Sequence, residues 1–575
     1  MNKSFLLIFL IFCFIDYAPA QQKKLSLEEL WSGAFVTKGM ESIYPLKNGK
    51  HYTVLNTNKN TGVVSIDKYD YSTLEKIETV VTSQEIPSKA LFSSYAFSAD
   101  ESKLLLATEV VPIYRRSKVG IYYIYDLITK DIIQIADSWI QEPTFSPDGK
   151  KVAFGNNNNL YLFNISDGKI VKITSDGEKN SIINGIADWV YEEEFKIVRA
   201  FEWNSDGTKI VFLRFDETAV PEFAMDVYGT DLYPFQYIFK YPKAGENNSV
   251  VTLHSYDIES NRISDISLPD SYYIPRIDRM NNSDYISVQT LNRHQNNLNL
   301  YAVNLQDNSV SLLLQEKDEA YVDVTDNLTF LPDDSFIWTS EKDGYNHIYL
   351  HSNSGELKNQ ITRGDWEVTK YYGYDPGEKR IYYQSTENGS INRDVYGIDI
   401  SAKNKKRLST GEGTNSAEFS ADFTYFINKF SNNTTPDQFT LHKTKSGIKL
   451  KEILDNKELS AKLSGYEMSP KEFSTIAING NELNMWMVKP KDFDPSKKYP
   501  LLMFQYSGPG SQQVANTWMS YRDFWHQILA SEGYIIACVD GRGTGFKGRD
   551  FKKVTYLNLV KYETEDQIAV AKKLS

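Results

Sequence analysis

The chain has 575 residues, more than one ordinary core can organise, so several structural units are expected. Hydrophobic residues at 41% and charged residues at 24% form a globular balance and exclude a disordered chain. A formal net charge of −12 excludes nucleic acid and anionic membrane as main partners.

Taken in order, residues 1–20 read as a secretory signal peptide. Lys3 gives a positive start, Phe5 to Ile15 is an apolar run, and Ala18-Pro19-Ala20 is a small-residue cleavage site. Asp16 and Pro19 break that run before it could span a bilayer, so no membrane span is expected once the leader is cleaved. Cys13 leaves with the leader, Cys538 alone remains, and no internal disulfide can form. An exported chain of this size without disulfides points to a bacterial protein, periplasmic or secreted. Residues 21–50 form an N-terminal segment expected to pack on the C-terminal unit.

Residues 51–464 read as strand after strand, in keeping with an aromatic content of 13% that includes 38 Tyr. Runs such as Lys103-Leu104-Leu105-Leu106 and Lys209-Ile210-Val211-Phe212-Leu213 follow polar turns. A turn phrase recurs: Phe97-Ser98-Ala99-Asp100, Phe145-Ser146-Pro147-Asp148, Trp203-Asn204-Ser205-Asp206 and Phe419-Ser420-Ala421-Asp422, with a weaker copy at Phe330-Leu331-Pro332-Asp333. Four strands in a repeat of about 40–50 residues are the signature of β-propeller blades, and roughly 400 residues allow seven or eight. An irregular β-sandwich is the alternative, and it leaves the recurring phrase unexplained.

Residues 465–575 change character. Continuous apolar strands at Tyr499 to Tyr506 and Tyr534 to Val539 alternate with a helical stretch at Phe524 to Ser531 and a surface helix at Thr564 to Leu574. That alternation is the opening of an α/β sheet. Cys538 lies inside a strand run and reads as a small core residue.

Chemistry concentrates in Asp188-Trp189-Val190-Tyr191-Glu192-Glu193-Glu194-Phe195, where three consecutive carboxylates sit among bulky apolar side chains. Like charges repel and an ionised carboxylate is costly to bury, so this stretch needs a cation unless it is a solvated acidic turn. The cation is either an Arg or Lys of the chain or the ammonium of a ligand. Elsewhere the chain holds no Gly-x-Ser-x-Gly nucleophile elbow, no credible Ser-His-Asp set, no His/Cys cluster with metal spacing and no phosphate-cradling loop. No cofactor or metal is therefore expected. His526 reads as a surface or packing residue, and Gly541-Arg542-Gly543-Thr544-Gly545 as a flexible turn.

The acidic stretch resembles the glutamate motif of the dipeptidyl peptidase IV branch of the prolyl oligopeptidase family of serine peptidases. Tyr241-Pro242-Lys243-Ala244-Gly245, Lys497-Lys498-Tyr499-Pro500-Leu501-Leu502, Tyr506-Ser507-Gly508-Pro509 and Asp540-Gly541-Arg542-Gly543-Thr544-Gly545 resemble the same family in the same order. The resemblance implies a β-propeller of seven or eight blades at 51–464, carrying recognition of the substrate amino terminus. An incomplete α/β-hydrolase domain follows at 465–575. It implies that Glu193 and Glu194 bind the ammonium of a peptide with a free N-terminus, that Arg115 reaches the same site, and that Tyr506 donates to the oxyanion. The implied reaction is serine-type release of N-terminal X-Pro or X-Ala dipeptides, and a homodimer is implied as well. The family's nucleophile, aspartate and histidine have no counterparts before Ser575, so the chain is expected to be a truncated copy, inactive alone. The alternatives are a non-catalytic propeller that binds peptides or partners, and a tripeptidyl or endo-acting relative.

Overall fold

A computed structural model describes residues 22–269 and 271–575; the expected signal peptide at 1–20 lies outside the described residues. Between residues 43 and 454 the described chain forms eight successive antiparallel sheets, at 43–82, 92–134, 141–172, 182–266, 273–317, 329–360, 368–407 and 414–454. Seven have four strands in simple sequence order, so each is a meander whose neighbours in sequence are neighbours in space.

The sheets pack face to face in a closed series. Ile66 of the first shares a cluster with Leu104 of the second, and Leu105 of the second with Val152 of the third. The third and fourth join through Leu160 and Phe212; the fourth, fifth and sixth join through Leu213, Val288 and Trp338. Ile337 and Ile381 join the sixth to the seventh, and Tyr382 and Phe426 the seventh to the eighth. The eighth then packs back on the first, with Ile427, Phe439 and Leu441 against Tyr52, Val54 and Tyr71. Alternate residues of one strand thus face opposite neighbours, as Leu104 and Leu105 do, because successive side chains leave a strand on opposite faces. The fold is an eight-bladed propeller.

The recurring turn phrase joins the first and second strands of blades 2, 3 and 8, and in blade 4 it joins Phe201–Trp203 to Lys209–Asp216. Ser98 Oγ donates to Asp100 Oδ1 at 2.6 Å and accepts from the Lys103 N–H at 3.0 Å. Ser146 repeats both bonds with Asp148 and Lys151, and Ser420 repeats them with Asp422 and Tyr425. In blade 4, Asn204 Oδ1 takes the acceptor role for the Lys209 N–H. Each phrase is a side-chain-closed turn, which is why Ser, Asn and Asp recur there.

Blade 4 departs from the pattern. It carries a fifth strand, Phe201–Trp203, the six-residue helix α2 (Trp189–Glu194), and a separate hairpin of Glu222–Val227 with Phe235–Lys240. In the numbering used here α1 is Leu27–Trp31, α3 Lys457–Leu463, α4 Tyr521–Ser531, α5 Arg549–Lys553 and α6 Lys561–Leu574.

After α3 the chain builds a mixed sheet in the order Lys471–Ile478, Asn481–Val488, Ile535–Asp540, Leu501–Phe504, the last pair parallel. Helix α4 crosses between the two parallel strands, as a parallel connection requires. Segment α1 lies on this unit, with Leu30 and Phe35 packed against Leu459, Leu463 and Phe524. Cys538 is fully buried in its strand. His526 is a packing residue: its ring is buried between Trp486 and Phe504, and burial pulls its pKa down to about 4. Helix α6 is not wholly superficial, because Asp566 and Val570 are fully buried on one face.

Candidate functional site

Helix α2 is short because its sequence caps it early. Asp188 accepts the Tyr191 N–H at 2.9 Å as N-cap, and Phe195 ends the helix. The Asp188 carboxyl is buried, which pushes its pKa up, while the Ser249 hydroxyl donates to it at 2.5 Å and works against that rise. The helix is anchored by its aromatic face. Tyr191 is buried against Phe195, Phe215 and Tyr273, and its hydroxyl accepts the Ile274 N–H at 2.9 Å. Trp189 packs at 4.3 Å, tilted, against Tyr241, the first residue of one of the family-like phrases.

The three glutamates then take three different directions. Glu192 is 1% exposed, and its Oε1 accepts the backbone N–H groups of Arg116 at 2.5 Å and Ser117 at 2.9 Å. Glu193 is half-buried, and its two oxygens lie 2.8 and 3.0 Å from Arg115 Nε. The Arg116 guanidinium stands further off, 3.7 Å from Glu193. Glu194 is exposed and has no ion pair among the described residues. A helical turn permits this fan, whereas a strand would have sent adjacent side chains to opposite faces.

Arg115 lies in the loop joining Lys103–Pro112 to Lys118–Asp126 of blade 2, while α2 belongs to blade 4. The pair is therefore built across blade 3 from positions 78 residues apart. Two further carboxyls lie near α2, Glu142 toward Glu192 and Glu217 toward Asp188. Burial pushes Glu142 up, with Arg199 and Lys118 opposing. Burial raises Glu217 to about 7, Asp188 adds to the rise, and Lys240 opposes it. The result is one carboxylate paired with Arg115 and, at the next position of α2, one exposed carboxylate. An ammonium has three N–H donors, and two carboxylates can accept them as charge-assisted bonds.

Tyr506 lies elsewhere, beyond the strand Leu501–Phe504, and none of its contacts reaches Arg115 or α2. It is 65% exposed. Its loop is held from two sides. Ser511 donates to the Tyr506 carbonyl at 3.0 Å, the Gly510 N–H donates to Gly543 O at 2.9 Å, and the Gly545 N–H to Ser511 O at 2.9 Å. From the propeller, Arg393 donates to Gln512 at 2.6 Å and stacks 4.0 Å above Phe546. The 541–545 turn is correspondingly firm, not flexible. Arg542 forks onto the fully buried Asp566, whose Oδ2 also takes the Arg542 N–H at 2.9 Å. A side chain at Gly545 would lie 2.7 Å from Gly510 O, so the two loops touch backbone to backbone only because residue 545 is Gly.

Residues 98–437 match the family described as the dipeptidyl peptidase IV N-terminal region, and residues 519–575 the prolyl oligopeptidase family. The chain belongs to the dipeptidyl peptidase IV family. Among its relatives, the probable dipeptidyl-aminopeptidase B of Phaeosphaeria nodorum is 32% identical over 513 residues, 83% of this chain and 56% of that protein. The Chaetomium globosum counterpart is also 32% identical, over 83% of this chain and 55% of its own length. This dipeptidyl peptidase IV-like chain thus spans about half the length of the curated relatives it matches. The crystal structure of Porphyromonas gingivalis dipeptidyl peptidase 4 is 40% identical and superposes with a TM-score of 0.90, over 96% of this chain and 79% of that one. A putative dipeptidyl aminopeptidase IV from Bacteroides ovatus, 23% identical, shares the fold at a TM-score of 0.73 over the same shares of the two chains.

The structure brings Arg115 and Glu193 into contact, leaves Glu194 exposed on the same short helix, and leaves Tyr506 apart. Sequence reasoning gave Glu192 no separate role, and its partners are backbone amides 75 and 76 residues away, which leave no mark in the sequence. Arg393 was also missed, since a single Arg in a propeller strand carries no signal of contact with the next domain.

Proposed function

We propose that the site formed by Glu193, Glu194 and Arg115 binds the free amino terminus of a peptide, as the measuring half of a serine-type dipeptidyl peptidase. The observation that carries the reading is the exposed Glu194 carboxylate at the position next to a Glu193 carboxylate paired with Arg115. Anchoring the ammonium sets the second peptide bond at a fixed distance from the glutamates, so the products are N-terminal dipeptides, X-Pro or X-Ala. Tyr506 is assigned as an oxyanion donor, a role in which one hydrogen bond lowers the barrier by roughly 3–4 kcal/mol. The nucleophile is assigned to sequence other than these 575 residues. The leader at 1–20 and the single remaining cysteine support export to a bacterial periplasm or beyond.

The test is calorimetric titration of the chain with Ala-Pro-Ala and with its N-acetylated form. Binding of the free amine alone, lost in Glu193→Ala and Glu194→Ala, is the expected result, and equal binding of both peptides would refute it. A protein joining this chain to a nucleophile-bearing segment should hydrolyse an X-Pro chromogenic substrate. A second reading is a peptide-binding propeller without catalysis. The two readings share the binding result and divide on hydrolysis.

A further inference from the structure

We infer that Glu192 is a positioning residue: its carboxylate fixes the backbone of the 114–117 turn and so sets Arg115 against Glu193. This rests on the reading of Glu193, Glu194 and Arg115 as an ammonium site, and it gives the third glutamate a task distinct from those of its two neighbours.

Arg115 has little else to hold it. Its side chain is 68% exposed, and its hydrogen bond and ion pair both go to Glu193. An exposed ion pair is weak in water and does not immobilise a long, flexible side chain. Precision must come from the main chain. The turn closes on itself through the Ile113 N–H to Ser117 O at 2.9 Å and the Tyr114 N–H to Ser117 Oγ at 3.1 Å. Those bonds shape the turn without attaching it to α2. Attachment comes from Glu192 Oε1, which receives the N–H groups of both residues after Arg115, and from Arg116 Nη1, which donates to Glu192 O at 3.2 Å. Bonds from N–H to a buried carboxylate are charge-assisted and strong, and two converging on one oxygen fix the direction of the backbone as well as its distance.

The same geometry removes Glu192 from direct service. Its carboxylate is buried and committed to the turn, and no cationic side chain reaches it among the described residues. Glu142 is a neighbouring carboxyl, which makes the site still less able to give up its N–H donors. Glu192 therefore acts through Arg115, not on the substrate.

The distinction can be measured, because Gln keeps the acceptor oxygen and drops the charge. The experiment is calorimetric binding of free-amine and N-acetylated Ala-Pro-Ala to the 575-residue chain. The proteins are wild type, Glu192→Gln, Glu192→Ala, and each variant combined with Arg115→Ala. Expected is a loss of about tenfold or more in free-amine affinity for Glu192→Ala, and of no more than about threefold for Glu192→Gln. In the Arg115→Ala background, Glu192→Ala should cost less than about twofold, since the residue it positions is gone. Should Glu192→Ala fail to fold, Glu192→Asp, one methylene short of the turn, should show the same loss. Gln as damaging as Ala, or a full loss persisting without Arg115, overturns the inference and makes Glu192 a direct charge in the site. A wild type that discriminates between the peptides, with every Glu192 variant equal to it, overturns the inference alone. A wild type that binds both peptides equally overturns the ammonium reading and the inference with it.

Discussion

At the scale of single residues, the site works by dividing one type of side chain among several environments. Glu192, Glu193 and Glu194 are chemically identical, yet one is buried on backbone amides, one is paired and one is open. Glu217 adds a testable case. Burial, with Asp188 nearby, holds its carboxyl at about 7 against an ordinary 4.5. The folded state therefore keeps a proton that the unfolded state has lost, so stability falls as pH rises from 4.5 to 7 and then levels off. Glu217→Gln removes this dependence. Relative to wild type, the variant should gain about 3 kcal/mol between pH 4.5 and pH 7.5 in urea unfolding, and a constant difference across that range would contradict the assignment.

At the scale of elements, the recurring Ser-x-Asp turn shows how one local device is reused. In blade 3 the Ser146 hydroxyl is buried, accepts the Lys151 N–H and donates to Asp148. Ser146→Ala leaves that amide without its side-chain acceptor and should cost about 1 kcal/mol, read as a lowered urea midpoint with unchanged peptide binding. Helix α2 is the opposite kind of element, used once. Its six residues could not persist alone, because a helix this short is unstable in water. Asp188 and Tyr191 hold it in the blade, so local strength is supplied by tertiary contacts.

At the scale of the whole molecule, the propeller and the C-terminal sheet are tied by charge as well as by packing. Lys552 of α5 reaches Asp323 at 2.6 Å and Glu341 at 2.5 Å, while Lys553 meets Glu341 at 3.0 Å and Asp318 at 3.2 Å. Burial pulls the Lys552 pKa down, and its two carboxylate partners outweigh that and raise it. Lys552→Met leaves the partly buried Glu341 with Lys553 as its one remaining ion-pair partner among the described residues and should cost about 1 kcal/mol. Hydrogen exchange should then quicken in α5 and its partner loops in blades 5 and 6. Unchanged exchange there would show that packing alone docks the two units.

Much of this was legible in the sequence, for identifiable reasons. Repeating Ser-x-Asp turns and strand runs announce a propeller because each blade is a local meander whose contacts lie near in sequence. The acidic stretch announces a site because unpaired charge beside aromatics demands an explanation. The number of blades was not legible, since the closure of Tyr52 and Tyr71 on Leu441 joins the two ends of a ring. Nor was the 541–545 turn seen as rigid, because its firmness comes from Asp566 on a later helix. Above all, the division of labour among Glu192, Glu193 and Glu194 was undetermined until blade 2 was laid against blade 4. By itself the sequence determined which elements form and where negative charge accumulates, because both depend on neighbours along the chain. The tertiary structure alone decided which carboxylate is spent on the backbone, which on Arg115 and which stays open, because partners some 75 residues away are chosen by packing.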